Sequence, residues 1–479
     1  MVKKAVIIAA GNGSRLARRD KDIPKPLRKV AGLSLIKRII LLAKKGGISE
    51  FVVVVGYQKD RIIRKLMSED LGGRPGLGVK LQFVENPEWK KSNGLSVLAA
   101  KDHLRENFIL LMSDHIFDVA TLEKLRQTPL GVNRALLAVD HKLGSIFDMD
   151  DATKVKTEKG KVIAIDKTLT DFDAVDTGMF LAGPALFEAL EEVKKGGNCS
   201  LSDGIRLLAD RGQMGVFDVQ GGWWQDVDTE ASLKQAEKVL FNACRKSTDG
   251  FISRHFNRHI SLFLSRLLIR TNLSANHVTG LTALVGILAG VFVARGDYWN
   301  VLLGAFLFKL SSILDGCDGE ISKLKLSSSK LGQWLDTISD NLTYVCFIIG
   351  AVVGVGRQGN PHIALTGTLT IFGVGMTMLV AFVYVIRNSN SGSLLVIQRD
   401  FNKFEGGPIK KLFSRVQFMI KRDFFALLFF VIAVFGKLEW ILWASLVGSN
   451  VAWMVFLNSY LGLFKPAVVV KESPGSASR

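Results

Sequence analysis

The sequence predicts two domains of different fold class, a doubly wound α/β domain over residues 1–245 and an all-α bundle of six transmembrane helices over 277–465. Three observations lead to this division. Charged and turn residues dominate up to about residue 260, long apolar runs follow, and the first half alternates between strand-length and helix-length segments. With 479 residues, the chain is longer than one ordinary domain. We expect a linker at 246–276 and a polar tail at 466–479.

The first half begins with an apolar run of strand length, Lys4 to Ala10, and then alternates. The predicted helices include SLIKRIILLAKKG, KDRIIRKLMSE and LSVLAAKDHL, and the predicted strands include FVVVVG, VKLQFVE and FILLMSD. Such alternation indicates a doubly wound parallel sheet of the Rossmann type. These sheets bind ligands at the carboxyl ends of their strands, which is where Asp114 ends FILLMSD.

A glycine-rich turn, GNGSRL, follows the first strand directly. The backbone N–H groups of such a turn can cradle phosphates, with Gly11 and Gly13 as its glycines. Arg15 and Lys25 could clamp a triphosphate and stabilise the charge that develops on it during transfer. The alternative is that both are solvated surface cations. The dinucleotide fingerprint fails because Leu16 stands where its last glycine would be.

This pattern resembles the amino terminus of the nucleotidyltransferases that activate sugar phosphates and choline phosphate, A-A-G-x-G-[ST]-R followed by Lys-Pro. The resemblance implies catalytic and nucleotide-binding roles for Arg15 and Lys25. It also implies that Asp114 and Asp226 in WQDVDT hold one Mg²⁺ between the phosphates. Asp228 would instead be the N-cap of the next helix.

Three further residues take roles from the same resemblance. Asn93 would contact the base, with an N-terminal helix turn as the alternative. Lys167 would bind the acceptor phosphate, with a solvated strand end as the alternative, and Asp176 would lie in an acceptor-binding segment.

The linker combines apolar residues at helical spacing with arginines on other faces. This pattern predicts an amphipathic helix on an anionic membrane surface, with Arg254, Arg258 and Arg266 away from the apolar face. His255 and His259 could hold a metal, but the absence of a third nearby ligand in the sequence favours interfacial side chains.

Six apolar segments follow, near 277–295, 298–316, 333–355, 362–386, 423–437 and 439–461, of which the fifth is short. Basic residues crowd the loops after the second and fourth segments. The positive-inside rule therefore predicts a multi-pass protein of the cell membrane with the N-terminal domain and C-terminus in the cytoplasm.

Four aspartates interrupt the apolar sequence within DGCDGEISKLKLSSSKLGQWLDTISD. They are Asp315, Asp318, Asp336 and Asp340. Their spacing places each pair on one helix face, and carboxylates at membrane depth are costly. We therefore predict a Mg²⁺ site, or alternatively a Mn²⁺ site, on two adjacent helices. Gly319 and Gly332 would let a phosphorylated ligand approach the backbone.

The stretch resembles the signature of the CDP-alcohol phosphotransferases, D-x-x-D-G-x-x-A-R-x8-G-x3-D-x3-D. The resemblance implies that the four aspartates share the metal site, that Asp318 also contacts the nucleotide, and that Asp340 is the base for the attacking hydroxyl. Ser322 and Lys323 replace Ala-Arg, so Lys323 keeps the charge without the bidentate fork. LSANHVT resembles the segment that opens the first membrane helix of this family.

The pairing of the two domains resembles the bifunctional enzymes of di-myo-inositol phosphate synthesis, an osmolyte pathway. The resemblance implies CTP, inositol 1-phosphate and CDP-inositol as reactants, Mg²⁺ in both domains, and a homodimer through the membrane domain. Arg387 and the lysines near the motif would hold a phosphorylated acceptor. The alternatives are a phospholipid synthase with a fused nucleotidyltransferase, or a membrane scaffold or transporter with a degenerate nucleotide-binding domain.

The composition limits the partners and the compartment. We attribute the net charge of +18 to cytoplasmic loops and phosphate-binding sites, and we expect no nucleic acid as a partner. The four cysteines are scattered without a C-x-x-C pair, which indicates a reducing compartment without a disulfide or zinc framework.

Overall fold

The structure is a computed structural model that describes residues 1–13, 23–71, 78–131, 133–197, 199–245, 249–388 and 421–460. The chain forms two compact units, Met1–Asn242 and Ala243–Arg479. The first unit is α/β and the second is helical, so the predicted fold class is confirmed. Arg15, the tail 466–479 and most of the basic loop after the fourth apolar segment lie outside the described residues.

The strands all belong to the first unit. They are β1 (Lys4–Ala9), β2 (Lys29–Val30), β3 (Leu33–Ser34), β4 (Glu50–Val55), β5 (Lys80–Glu85), β6 (Phe108–Met112), β7 (His115–Phe117), β8 (Ala135–Asp140), β9 (Lys154–Glu158), β10 (Lys161–Asp166), β11 (Ala174–Ala182), β12 (Met214–Asp218) and β13 (Trp224–Asp226). Its helices are α1 (Leu35–Lys45), α2 (Lys59–Leu71), α3 (Gly94–Leu98), α4 (Val119–Gln127), α5 (Ala185–Lys195), α6 (Leu201–Asp210) and α7 (Glu230–Asn242).

Nine of these strands form one sheet in the order β5-β4-β1-β6-β11-β8-β12-β10-β9. The neighbours β5, β4, β1 and β6 run parallel, as predicted. The sheet also contains an antiparallel strand that the sequence did not predict, because β11 lies antiparallel between β6 and β8. The register of β11 shifts between Asp176 and Phe180, where Gly178 adopts a φ of +73° that a side chain would strain.

The core of the first unit consists of apolar side chains from the sheet and the helices against it. Val6, Leu110, Leu137 and Phe180 are among the buried members. The predicted helix LSVLAAKDHL is shorter than expected, since α3 ends at Leu98 and a 3₁₀ turn follows at Lys101–His103. The carboxyl ends of β1 and β6 remain at one edge of the sheet, where the glycine-rich turn and Asp114 meet.

The second unit consists of seven α-helices within the described residues. They are α8 (Arg258–Leu268), α9 (Ala275–Val293), α10 (Tyr298–Leu324), α11 (Lys330–Arg357), α12 (Ile363–Asn388), α13 (Arg422–Val434) and α14 (Leu438–Tyr460). Four segments of the described chain are long and apolar enough to cross a membrane: Ala275–Val293, Tyr298–Leu324, Lys330–Arg357 and Ile363–Arg387. With 13 residues, α13 is about 20 Å long and shorter than the hydrocarbon layer.

α8 exposes several apolar side chains and buries several polar ones. Its exposed side chains include Ile260, Phe263 and Leu267, whereas Arg258 and Ser261 are buried. Arg258 therefore lies away from the exposed apolar side chains and inside the unit. Its guanidinium is buried because it pairs with two carboxylates inside the unit.

Candidate active sites

The first site lies where β6 ends and the short strands β7 and β13 pair. Their antiparallel register sets Asp226 opposite His115, and Val227 N donates to Asp114 O at 3.0 Å. Asp114 therefore lies beside the end of β13, and its Oδ2 accepts a hydrogen bond from Lys25 Nζ at 2.5 Å. This arrangement brings together Asp114, Asp226 and Lys25, which the sequence had predicted to act together.

Charge and burial shift the pKa values at this site in opposite directions. Burial alone would raise the pKa of Asp114, but the charges of Lys25 and His115 hold it well below its usual range. Burial would lower the pKa of His115, yet the neighbouring Asp114 carboxylate raises it. The pKa of Asp226 is raised, mainly by burial. Asp114 thus remains ionised, and a cation bound beside Asp226 would lower the raised pKa of that carboxyl.

Asp228 lies at this candidate site, although the sequence analysis assigned it to a helix cap. Its carboxylate pairs with Lys25 Nζ, whereas Thr229 Oγ1 accepts from Ser232 N at 3.1 Å and so takes the capping position before α7. The predicted N-cap role of Asp228 is therefore wrong. Its carboxylate also groups with those of Asp226 and Asp151, whose ligand oxygens lie within 4.8 Å of one another.

Lys167 lies next to this carboxylate group. Its Nζ donates to Asp151 Oδ1 at 2.8 Å, and its side chain remains half-exposed. A cation that neutralised these carboxylates would leave the Lys167 ammonium able to bind a phosphate. The acceptor role of Lys167 stays a prediction.

The glycine-rich turn approaches the buried lysine closely. Gly13 has a φ of +58°, and a Cβ at this position would collide with the side chain of Lys25. A Cβ at Gly11 would meet no atom within 4 Å. Gly13 is therefore required by both backbone conformation and packing, whereas the space at Gly11 is open to a ligand.

Asn93 and Asp176 are engaged with the backbone around the site. Asn93 Oδ1 accepts from Leu201 N at 2.8 Å and so holds the start of α6. Asp176 Oδ1 accepts from Gly178 N at 2.7 Å, and burial raises the pKa of Asp176 to about 6. A Cβ at Gly178 would come within 2.6 Å of the His115 ring, so the Asp176 turn lies directly against β7.

The second site is built by α10 and α11. Ligand oxygens of Asp315, Asp318 and Asp336 lie within 4.8 Å of one another. Asp318 is buried, and its Oδ2 accepts a hydrogen bond from Thr279 Oγ1 of α9 at 2.6 Å. Three carboxylates at this spacing suit a hard divalent cation, which prefers oxygen ligands.

Asp340 lies beside this group and pairs with an arginine. Its Oδ1 accepts from Arg422 Nη1, and the same nitrogen lies 3.5 Å from Asp315 Oδ1. Arg422 Nη2 also donates to Ser311 Oγ at 3.1 Å and Thr343 Oγ1 at 3.0 Å. The guanidinium therefore joins α13 to both helices that carry the aspartates.

The remaining predicted residues of the second site are less closely gathered. Lys323 Nζ donates to Ala243 O, and Arg387 is exposed near the end of α12. Gly319 offers open space, because a Cβ there would meet no atom within 4 Å. Gly332 N donates to Ser329 Oγ at the start of α11, which makes Gly332 part of a helix cap.

Known families match the two units separately. The MobA-like NTP transferase domain matches residues 5–200, and the CDP-alcohol phosphatidyltransferase family matches residues 272–453. The bifunctional IPC transferase and DIPP synthase of Aquifex aeolicus (strain VF5) is 35% identical over 350 residues, which cover 73% of this chain and 76% of the relative. The protein of the same name from Archaeoglobus fulgidus is 32% identical over 444 residues, 92% of this chain and 81% of its own.

The chain belongs to the family of bifunctional IPC transferases and DIPP synthases. It is therefore an enzyme that combines a nucleotidyltransferase domain with a CDP-alcohol phosphotransferase domain, as predicted. A solved structure titled as the inositol-1-phosphate CTP transferase from T. maritima also resembles the chain, with a TM-score of 0.44 and 23% identity over 50% of this chain and 96% of that one.

Several residues at the candidate sites were missed by sequence reasoning. Thr279 stands in the quoted LSANHVT segment, and its hydroxyl could have been recognised as a partner for a buried carboxylate. Arg422 belongs to the basic loop after the fourth apolar segment, and no local motif marks it as a site residue. Asp151 carries no local motif, and only the folded chain brings it to Asp226.

Proposed function

We propose that the enzyme makes CDP-inositol from CTP and inositol 1-phosphate, and then transfers the inositol phosphate group to a second inositol 1-phosphate. The products would be pyrophosphate in the first step, and CMP with a phosphorylated di-inositol phosphate in the second. The observation that carries the proposal is the presence of two separate carboxylate-and-cation sites, one in each compact unit. The names of the relatives, IPC transferase and DIPP synthase, support the same pair of reactions.

In the first reaction, a phosphate oxygen of inositol 1-phosphate would attack the α-phosphorus of CTP, and pyrophosphate would leave. Lys25, which lies between Asp114 and Asp228, would stabilise the developing negative charge together with Arg15. Lys167 would bind the phosphate of the acceptor. Asn93 would contact the cytosine, with Gly11 and Gly13 along the triphosphate.

Mg²⁺ fits the first site, because Asp226, Asp228 and Asp151 offer oxygens at compatible distances beside Asp114. A bound ion would neutralise charge on the phosphates. It would also offset the burial that raises the pKa of Asp226. We assign Asp114 and Asp226 as ligands, and add Asp228 as a candidate from the structure.

In the second reaction, an acceptor hydroxyl would attack the phosphorus that bears inositol, the bond from this phosphorus to the bridging oxygen would break, and CMP would leave. Asp340 would take the hydroxyl proton. Asp315, Asp318 and Asp336 would hold Mg²⁺, or alternatively Mn²⁺, with Asp340 at its edge. The ion would neutralise the diphosphate charge, while Gly319, Gly332 and Lys323 would lie along the nucleotide.

Arg422 supports a phosphorylated acceptor more directly than Arg387, which sequence reasoning had proposed. Its guanidinium touches the proposed base Asp340 and reaches Asp315 at 3.5 Å. A cation at this position can hold the dianion of inositol 1-phosphate beside an anionic donor. Arg387 remains a second candidate at the end of α12.

The test supplies purified enzyme and Mg²⁺ with CTP and inositol 1-phosphate, and follows the products by ³¹P NMR. CDP-inositol is then offered with inositol 1-phosphate, free inositol or a dialkylglycerol lipid. We expect the water-soluble product to dominate and free inositol to react poorly. A product that extracts into organic solvent would favour the phospholipid-synthase alternative, and equal rates with free inositol would refute the phosphate requirement.

We further propose that both termini and the aspartate site face the cytoplasm, and that the membrane unit forms a homodimer. Ser327 lies exposed between α10 and α11. A Ser327→Cys variant should resist an impermeant thiol reagent in intact cells and react after lysis, because the loop carries the basic residues of a cytoplasmic segment. Labelling in intact cells would reverse the orientation.

A further inference from the structure

The helix before the first membrane segment is joined to the motif helix by a buried polar network. Arg258 donates from Nε and Nη2 to the two carboxylate oxygens of Asp249, each at 2.8 Å. Its Nη1 donates to Glu320 Oε1 at 2.8 Å, and Ser261 Oγ donates to the same oxygen at 2.6 Å. The side chains of Arg258 and Asp249 are 9% exposed and that of Glu320 is 1% exposed.

Glu320 belongs to the turn of α10 that carries the aspartate motif. It lies two residues after Asp318, so the two side chains leave the helix about 200° apart. Asp318 accepts its hydrogen bond from Thr279 of α9, while Glu320 is held by α8 on the opposite side. A rotation or shift of this turn would break the contacts on both sides.

Small motif residues allow α8 to approach this turn. A Cβ at Gly316 would lie 3.2 Å from Ser261 Cβ and Oγ, and Cys317 Sγ donates to Ser261 O at 3.5 Å. The polar face of α8 is therefore in contact with the same residues that separate Asp315 from Asp318.

A second link joins the segment before α8 to the other side of the site. Asp423 Oδ2 accepts from Ser253 N at 2.7 Å, and its neighbour Arg422 pairs with Asp340. Phe256 and Phe263 are each 60% exposed, and Arg254 and Arg266 are exposed as well. The segment thus contacts two elements that carry site residues, and Arg258 is a buried arginine among exposed ones.

A buried ion pair adds little net stability to a fold, because well-packed apolar side chains of similar volume stabilise it equally well. Its better attested role is to select one arrangement of the surrounding helices. The fork of an arginine fixes the direction of several hydrogen bonds at once. We propose that Arg258 is a positioning residue for the second reaction, acting through Glu320 on the turn that carries Asp315 and Asp318. This inference rests on the proposed role of those aspartates.

The test compares Arg258→Lys with the parent enzyme in the full chain. Lysine keeps the positive charge, but its ammonium cannot reproduce the bidentate contact with Asp249 together with the contact to Glu320. We expect kcat for CMP release from supplied CDP-inositol to fall by about tenfold or more, the scale for a misplaced site, with the KM of the acceptor nearly unchanged. CTP consumption by the same protein should be unaffected.

A direct readout of the metal site distinguishes positioning from a general loss of stability. Mn²⁺ binding is measured by EPR in the parent, Arg258→Lys and Asp318→Ala proteins, and the parent minus Asp318→Ala difference reports the membrane site. Weaker Mn²⁺ binding at that site in Arg258→Lys, in protein that elutes like the parent on size exclusion, is the expected result. Unchanged Mn²⁺ binding and kcat would overturn the positioning role.

Two further variants test whether the hydrogen bonds of Arg258 account for the effect. Glu320→Gln keeps an oxygen that can accept from both Arg258 and Ser261, so its kcat should stay much closer to that of the parent. A loss equal to that in Arg258→Lys would overturn the hydrogen-bond explanation. Arg270→Lys makes the same substitution at an exposed position of the same segment and should match the parent. If Asp318→Ala retains transfer, the proposed second site itself is wrong, which is a different outcome.

Discussion

Replacement of Arg422 by glutamine should impair the second reaction and leave the first intact. The side chain of Arg422 is 14% exposed, and its guanidinium contacts Asp340, Ser311 and Thr343 as well as approaching Asp315. Glutamine cannot supply the charge or reach all of these partners. Hydrogen bonds to charged groups contribute about 1.5–3 kcal/mol each, so losing one in the transition state lowers kcat/KM by roughly ten- to 150-fold.

The assay measures CMP release from CDP-inositol with inositol 1-phosphate and with free inositol as acceptors. Arg422 would hold both Asp340 and the phosphate of the acceptor. The loss of kcat/KM should therefore be larger with inositol 1-phosphate than with free inositol. Arg357→Gln, at an exposed position near the end of α11, is the matched control. A normal rate in Arg422→Gln with inositol 1-phosphate would refute the reasoning. An equal loss with both acceptors would limit Arg422 to holding Asp340.

Three other predictions follow from particular contacts. Gly13→Ala forces a side chain into a φ of +58° and against Lys25, so it should destabilise the turn by about 1–3 kcal/mol. It should also raise the KM for CTP more than Gly11→Ala does, and equal KM values in the two variants would contradict this. Thr279→Val removes the 2.6 Å hydrogen bond to Asp318 and should slow transfer from CDP-inositol, whereas Thr279→Ser keeps the hydroxyl and should react at nearly the parent rate. A Thr279→Ser variant as slow as Thr279→Val would show that the hydroxyl is not responsible. Burial raises the pKa of Asp176 from 3.8 to about 6, so the stability that its proton provides is complete below pH 3.8 and lost as the pH rises through about 6. Asp176→Asn should therefore stabilise the first unit at pH 8 relative to pH 4 by up to about 3 kcal/mol, measured by urea unfolding with hydrogen exchange in β1; equal effects at both pH values would argue against a buried, protonated Asp176.

The sequence predicted the parts of the fold that depend on local patterns. The alternation of apolar segments predicted β1, β4, β5 and β6, and their parallel register agrees. It could not predict the antiparallel insertion of β11, because strand direction depends on a long connection and not on the residues AVDTGMFLA themselves. The helices of the second unit were found from apolar length, although α10 continues past the predicted end at 316 to carry the motif to Leu324.

The same distinction applies to the candidate sites. Asp315, Asp318 and Asp336 were recognisable because their spacing is local, and the structure gathers them. Asp151 and Arg422 were missed because each reaches its site from a distant part of the chain, whereas Asp228 was assigned to a helix cap that Thr229 occupies. Helical periodicity placed Arg258 away from the apolar face of its helix, but it could not show that this side of the helix meets Glu320 of another helix. Tertiary contacts, rather than motif spacing, decide the roles of these residues.

The central claim is that two separate sites in one chain carry out consecutive reactions. The most direct measurement compares Asp114→Ala and Asp318→Ala in two assays, pyrophosphate release from CTP with inositol 1-phosphate, and CMP release from supplied CDP-inositol with inositol 1-phosphate. We predict that Asp114→Ala abolishes only pyrophosphate release and that Asp318→Ala abolishes only CMP release. Mixing the two variants should then restore the final product from CTP. Loss of CMP release in a folded Asp114→Ala protein would contradict the two-site account.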